Sequence, residues 1–190
     1  VSHIYGRLSL IGVYPILEIR GKNNEFSVKS LNERGEKYLM ELSEEEFSFC
    51  DEIQMDRNEI NGVVVKEGGD FEEDKRSKRK NTTNVIRLFL EKFRLNERSF
   101  LGLYGAFSYD FVRLFEEIPE ILKDDGCDDF RLYLYDSFVY FDHLKDSAQI
   151  LVYRESEKSA EEDIEKIFES FDNKVSEMLF KIEDAKFDLD

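Results

Sequence analysis

The segment that most constrains the fold is Leu101–Pro119, because its hydrophobic period changes halfway along. Up to Tyr109 the segment is punctuated by glycine and apolar on both sides, which is typical of a buried strand. From Asp110 the apolar residues recur at three and four, which predicts a short helix with the face Phe111, Leu114, Phe115 and Ile118. We therefore expect a strand-to-helix turn, with Asp110 capping the helix and Pro119 ending it.

Two kinds of close contact are expected around this turn. Gly102 and Gly105 lie in the predicted strand, where a glycine indicates that another backbone or a large side chain lies close over it. Asp110 and Arg113 are three residues apart at a helix start, a spacing that favours an ion pair. The same two side chains are also placed to hold a ligand carboxylate, so both interpretations stay open.

The first part of the chain has the pattern of β-structure. Residues 6–20, followed by the alternating Phe26 and Val28, predict two antiparallel strands joined by a short polar turn. Tyr14-Pro15 predicts an edge position or a bulge in the first of these strands, because proline cannot donate to a ladder. Further along, Ile60–Val65 predicts a strand with a turn signal inside it.

Two helices and a late hairpin complete the predicted elements. Thr82 or Thr83 caps the first helix, whose apolar face is Val85, Ile86, Phe89 and Phe93. Phe130–Phe141 predicts one long aromatic strand, and Ala148–Tyr153 its hairpin partner. The second helix covers about residues 159–183, begins with a capping box at Ser159, and carries one apolar stripe: Ile164, Ile167, Phe168, Phe171, Val175, Met178, Leu179 and Ile182.

The charge and the apolar runs of the chain restrict its partners. The formal net charge is −16, which repels a phosphate backbone or an anionic membrane, so neither nucleic acid nor a membrane is expected as a partner. No signal-peptide pattern opens the chain and no apolar run approaches a membrane span, so a cytoplasmic protein is expected. Residues 66–81 predict a charged, solvated loop, and Cys50 and Cys127 predict two ordinary thiols.

Candidate residues for chemistry are few. The sequence contains no phosphate-binding loop, dinucleotide fingerprint or zinc-protease motif. Asp136, Asp142 and His143 form the best set for acid–base or metal chemistry, as a titrating ring near two carboxylates. Adjacent strand residues point to opposite faces, so a hairpin end with solvated polar residues is the favoured interpretation. Ser9 and Ser108 lack a nearby histidine, so a hydrolase is not predicted.

Three segments carry a resemblance to a known family. They are GRLSLIGVYPILEI at residues 6–19, YGAFSYDFVRLFE at 104–116 and DDFRLYLYDSFVYFDH at 128–143. Together they resemble the N-terminal region of the large subunit of anthranilate synthase, over most of the chain. The form GLYGAFSYD is closer to the class in which the synthase and its glutamine amidotransferase are fused in one polypeptide. Leu8 departs from the pattern, because an aromatic residue is usual there.

The resemblance implies a region without catalytic residues of its own. In the family, chorismate and Mg²⁺ bind in a C-terminal domain, so no catalytic residue, metal ligand or cofactor is expected in this chain, and Mg²⁺ is expected in the full-length enzyme. Arg7 and Ser9 match positions near the tryptophan effector pocket, or they simply close a strand. The remaining motif positions are expected to be structural: Gly102, Gly105, Tyr109, Asp110, Arg113 and Asp136.

The expected fold class is α+β, with antiparallel sheet portions containing residues 6–28 and 100–153 and helices packed outside. By resemblance, residues 1–190 form the N-terminal domain of the layered large-subunit fold and are an excerpt of a longer chain. The implied function is the non-catalytic N-terminal portion of anthranilate synthase, which converts chorismate and glutamine to anthranilate, pyruvate and glutamate in tryptophan biosynthesis.

The implied partners are a chorismate-binding domain and a glutamine amidotransferase in the same polypeptide, with tryptophan as effector. Two alternatives stay open. The chain is the same region of a sister enzyme, such as an aminodeoxychorismate or phenazine-pathway synthase, or it is a free-standing acidic interaction module.

Overall fold

The computed structural model describes residues 6–65, 80–93, 100–116, 118, 126–153 and 160–170. The chain divides into two compact units, one formed by Val1–Val13 with Asp136–Asp190 and the other by Tyr14–Tyr135. Both units are built on antiparallel sheets, and helices accompany them. The expected α+β class with antiparallel sheets is therefore confirmed.

The larger unit contains a six-stranded sheet in the order β4-β5-β3-β2-β7-β6. Its strands are β2 (Leu17–Lys22), β3 (Glu25–Ser30), β4 (Glu52–Met55), β5 (Glu59–Val63), β6 (Gly102–Phe107) and β7 (Phe130–Tyr135). The same unit holds the α-helices α1 (Glu33–Met40) and α2 (Thr83–Lys92), and two 3₁₀ helices over Glu44–Phe47 and Tyr109–Leu114. The expected β2–β3 hairpin forms, with Asn23 at a φ of 53° in its tight turn.

Alternation along the strands places the core of this unit on one face of the sheet. On β2, for example, Leu17 and Ile19 are fully buried, while Glu18 and Arg20, which alternate with them, are half-buried. Helix α1 contributes Leu39 and α2 contributes Val85 and Phe89. Among the residues that the structure describes, the buried core consists of Ile16, Leu17, Ile19, Phe26, Val28, Leu39, Leu42, Phe47, Ile60, Val64, Val85, Phe89, Leu114, Phe130, Leu132 and Leu134.

The smaller unit contains a three-stranded antiparallel sheet in the order β1-β8-β9. Its strands are β1 (Leu8–Gly12), β8 (Ser137–Asp142) and β9 (Ser147–Val152), and the β8–β9 hairpin matches the expected one. Residues 160–170 form a helix, in which Ile167 is buried and Phe168 is 66% exposed. The described part of the predicted apolar stripe is therefore buried at Ile167 and exposed at Phe168.

The predicted strand before Asp110 is not buried. Among the described strands, β6 pairs with β7 alone and lies at the edge of the sheet, with Tyr104 38% and Phe107 52% exposed. The helix that follows is of the 3₁₀ type and its N-cap is Ser108, so the expected cap by Asp110 is wrong. The carboxylate of Asp110 instead accepts a hydrogen bond from Arg113. A strand whose two faces are both apolar can be recognised from the sequence, but the sequence does not show whether that strand has one neighbour or two.

Two predicted strands are each divided between the two sheets. Residues 6–20 form β1 and β2, which are separated at Tyr14, whose φ of 52° ends the extended backbone before Pro15. Pro15 therefore lies between two strands, not at an edge or bulge of one. Phe130–Phe141 likewise forms β7 and β8, with Asp136 between them. The predicted division of the two sheets into residues 6–28 and 100–153 is therefore wrong.

Two local predictions also change. Asn61 and Gly62 lie inside β5 and make no turn. The ring of Phe26 occupies the space that a side chain at position 62 would need, which accounts for the glycine there. The face of α2 is as expected, but neither threonine side chain caps it. Asn81 does so, since its Oδ1 accepts from the backbone N–H and the hydroxyl of Thr83 at 2.9 and 2.6 Å.

Several expectations fall on residues that are not described. These are the loop at 66–79, the helix end at Pro119, the capping residue Ser159 and the apolar stripe beyond residue 170. Among the described residues, no helix is both long enough and apolar enough to span a membrane.

Candidate functional site

The candidate site lies where β1 pairs with β8 in the smaller unit. Ser9 is paired with Phe141, and one step along the ladder the backbone N–H of His143 donates to the carbonyl oxygen of Arg7 at 2.8 Å. Because side chains alternate along a strand, Ser9, Phe141 and His143 project from one face of this sheet, whereas Asp142, which holds Arg7, projects from the other. The pairing therefore brings together residues that lie more than 130 positions apart in the sequence.

Arg7 is held by the carboxylate of Asp142. Its Nη2 and Nε donate to the two carboxylate oxygens of Asp142 at 3.1 and 3.5 Å. Asp142 is 4% exposed, and its Oδ1 also accepts from the backbone N–H groups of Leu144 and Lys145 at 3.0 and 3.2 Å. The hydrogen bond from Arg7 is the largest cause that lowers the pKa of Asp142, and the same bond raises the pKa of Arg7.

Ser9 has a histidine partner that the sequence did not suggest. Its Oγ lies 2.7 Å from Nε2 of His143, and the imidazole ring stacks on Phe141 with an angle of 14° between the ring planes. The expectation that Ser9 lacks a nearby histidine is therefore wrong. A catalytic triad also needs a carboxylate that holds the histidine ring. Among the described contacts, none joins a carboxylate to the ring of His143.

Asp136 is separate from this cluster. It lies between β7 and β8, is 1% exposed, and its Oδ1 accepts from the hydroxyl of Ser137 at 2.9 Å. Its backbone carbonyl also accepts from the N–H of Tyr153 at 2.9 Å. Within the described ranges, no three His, Cys, Asp or Glu residues are arranged to hold a metal ion. Asp136 thus has a structural position, since it is the one residue between β7, which ends at Tyr135, and β8, which begins at Ser137.

The motif around β6 is in the larger unit. Nε of Arg113 donates to Asp110 at 2.8 Å, and its Nη1 donates to the carbonyl of Ile118 at 3.3 Å, so the ion pair expected from their spacing forms. Tyr109 is 92% exposed. A Cβ at Gly105 would overlap the backbone of β7, whereas one at Gly102 would meet only ordinary contacts at 3.8 and 3.9 Å. The close contact expected for both glycines therefore exists at Gly105 alone.

Comparison with known proteins gives a consistent set of relatives. Anthranilate synthase component 1 of Buchnera aphidicola subsp. Acyrthosiphon pisum is 24% identical over 144 residues, which is 75% of this chain and 27% of the relative. The protein of the same name from subsp. Pemphigus spyrothecae is 25% identical over 95% of this chain and 35% of the relative. That of Escherichia coli is 39% identical over 54 residues, or 28% of this chain.

No family model matches the chain. Among solved structures, anthranilate synthase component I from Streptococcus pneumoniae is similar with a TM-score of 0.48 and 18% identity, covering 88% of this chain and 30% of that one.

These relatives show that the chain resembles one class of synthases in sequence. More particularly, the resemblance to the large subunit of anthranilate synthase is confirmed, since the curated relatives carry the name anthranilate synthase component 1. The chain spans about a third or less of the length of these relatives. Its resemblance to the class with a fused amidotransferase stays a prediction.

Proposed function

We propose that this chain is the non-catalytic N-terminal portion of an anthranilate synthase. The complete enzyme would convert chorismate and the amide nitrogen of glutamine to anthranilate, pyruvate and glutamate, in tryptophan biosynthesis in the cytoplasm. The observation that carries this proposal is the similarity to anthranilate synthase component 1 over 95% of this chain, which accounts for only 35% of that relative. The rest of the relative's length leaves room for the catalytic part.

The proposed role of the region is to support the synthase active site and the tryptophan feedback pocket. Arg7 and Ser9 would lie at the edge of that pocket. Their geometry supports this role, because both side chains are exposed at the start of β1 and each has a fixed partner, Asp142 for Arg7 and His143 for Ser9. A fixed guanidinium and a fixed hydroxyl are groups that recognise a polar ligand.

The proposed partners are a chorismate-binding domain and a glutamine amidotransferase, both in the same, longer polypeptide. Mg²⁺ would be a cofactor of the complete enzyme. By the resemblance, its site would lie in the chorismate-binding domain. The contribution proposed for this chain is packing and regulation, without a chemical step.

The test uses the full-length polypeptide that contains these 190 residues. Supplied with chorismate, Mg²⁺ and either ammonia or glutamine, it should release anthranilate and pyruvate. Formation of aminodeoxychorismate in place of anthranilate would contradict the proposal and favour a sister enzyme.

The regulatory part has its own test in the same polypeptide. Arg7→Met should raise the tryptophan concentration needed for half inhibition by about tenfold, the loss expected for one charge-assisted contact. Arg57→Met is the matched control, because Arg57 pairs with Glu36 on an exposed surface of the larger unit. Equal inhibition of both variants and the wild type would contradict a role for Arg7.

A further inference from the structure

We propose that the outer edge of β6 is a self-association site, at which β6 of one copy of this chain pairs antiparallel with β6 of a second copy. The contact is the addition of a strand to an exposed sheet edge, in which backbone hydrogen bonds hold the two copies together. This inference goes beyond the proposed function, because it concerns neither the synthase active site nor the effector pocket.

The backbone of β6 directs hydrogen-bonding groups away from β7. The N–H of Ser108, the residue that follows β6, donates to the carbonyl oxygen of Asp129 on the β7 side at 2.8 Å. Bonded residues alternate along an antiparallel ladder, so every second residue counted back from Ser108 faces β7. The N–H and C=O groups that face the other way belong to Leu103, Gly105 and Phe107. Among the described residues, these groups have no hydrogen-bond partner.

This edge lacks the features that normally keep strand edges apart. Exposed edges are usually protected by charged residues, proline, a bulge or a short strand. β4, at the other edge of the same sheet, has four residues and begins with Glu52. β6 has six residues in an unbroken register, and residues 100–109 contain no charged side chain. Since each copy carries a net charge of −16, an uncharged edge is where two copies can meet with least repulsion.

The sequence of β6 is complementary to itself in this arrangement. A pairing centred on Gly105 places Gly105 of both copies at the two-fold axis and Leu103 opposite Phe107 of the second copy. Leu103 then covers the half-exposed ring of Phe107. On the other face, the large Tyr104 lies opposite the small, exposed Ala106. One patch thus serves both copies, as a two-fold symmetric dimer requires.

The test is amide hydrogen exchange of the ¹⁵N-labelled 190-residue chain, with sedimentation velocity over the same concentrations. A contact through one strand is small for a specific interface, so the dimer should dissociate on dilution from about 1 mM to about 50 µM. The amides of Leu103, Gly105 and Phe107 should exchange slowly at the higher concentration and fast at the lower one. Those of Tyr104 and Ala106, which face β7, should exchange slowly at both.

A charged residue at the edge should abolish the association without unfolding the chain. Ala106→Glu places a negative charge from each copy close to the two-fold axis and should weaken dimerisation by about tenfold or more. Arg131 lies opposite Ala106 on β7 and compensates the new charge within one copy. Ala148→Glu is the matched control, because it makes the same change at an exposed residue of β9, an edge strand of the other sheet. It should leave dimerisation unchanged.

A chain that remains monomeric at about 1 mM would overturn the proposal. So would equal weakening by the two variants, or concentration-dependent protection at β1 or β9 in place of β6. The full-length polypeptide gives a further decision. A monomeric full-length polypeptide in which the amides of Leu103, Gly105 and Phe107 are protected would overturn the second copy as the partner and assign the edge to another strand of the same polypeptide.

Discussion

Gly105 in β6 lies directly against the backbone of Arg131 in β7, so that a Cβ atom at position 105 would overlap the carbonyl oxygen of Arg131. The α carbon of Leu132 would also be only 2.8 Å from that Cβ. Backbone atoms of a central strand cannot move aside as a flexible side chain can. The glycine therefore sets how closely β6 approaches the rest of its sheet.

Gly105→Val should destabilise the chain by about 1–3 kcal/mol, because it overpacks the contact between β6 and β7. Gly102→Val is the matched control in the same strand, since a Cβ there would meet its nearest atoms at 3.8 and 3.9 Å. Urea denaturation measures both variants. Equal midpoints for Gly105→Val and the wild type would show that the strand can shift to accommodate a side chain.

Asn81→Ala should cost about 1–2 kcal/mol of stability, the usual range for a lost helix cap. The side chain is 2% exposed, and besides capping α2 its Nδ2 donates to the carbonyl of Leu114 at 3.3 Å. Thermal or urea denaturation would measure the loss. If the variant unfolds at the wild-type midpoint, Thr82 or another group caps α2 in solution.

Stability should depend on pH through Asp142. Because the hydrogen bond from Arg7 lowers the pKa of Asp142, the ionised carboxylate stabilises the folded chain above the ordinary value of about 3.9, and that contribution is lost as the pH falls through the lowered pKa. The difference in urea midpoint between the wild type and Asp142→Asn should therefore be large near pH 7 and shrink towards pH 3. In an Arg7→Met background that pH dependence should be smaller. A difference that stays constant with pH would contradict the account of this ion pair.

The two thiols should react at very different rates. Burial raises the pKa of the Cys50 thiol to about 11, whereas Cys127 is exposed. Since the thiolate is the nucleophile, Cys50 should be slow towards iodoacetamide at pH 8. Mass spectrometry of the alkylated chain should find one fast-reacting thiol, and Cys127→Ser should remove it. Rapid modification of Cys50 in that variant would show that its site opens readily.

Local elements of the fold were predictable from the sequence. The β2–β3 and β8–β9 hairpins and the face of α2 follow from residues that are close together in the chain, where periodicity and turn residues are informative. The residue that caps α2 was not predictable, because Asn81, Thr82 and Thr83 are all suitable caps. Only the backbone geometry determines that Asn81 accepts the hydrogen bond.

The partners of each strand were not predictable in the same way. A period of two determines which side chains share a face, but it does not determine which strand lies alongside. β1 therefore pairs with β8 and not with β2, and residues 6–20 enter two sheets. The contact between Ser9 and His143 depends on this pairing, since the two residues are 134 positions apart. For the same reason the sequence grouped His143 with Asp136 and Asp142 and did not reveal its contact with Ser9.

The most direct test of the central proposal is a fluorescence assay for anthranilate. The isolated 190-residue chain and the full-length polypeptide that contains it are each incubated with chorismate, Mg²⁺ and either ammonia or glutamine. Our account predicts anthranilate from the full-length polypeptide and none from the isolated chain, because it assigns the catalytic residues to the part of the enzyme outside this region. Anthranilate formation by the purified isolated chain, in proportion to its concentration, would contradict the account.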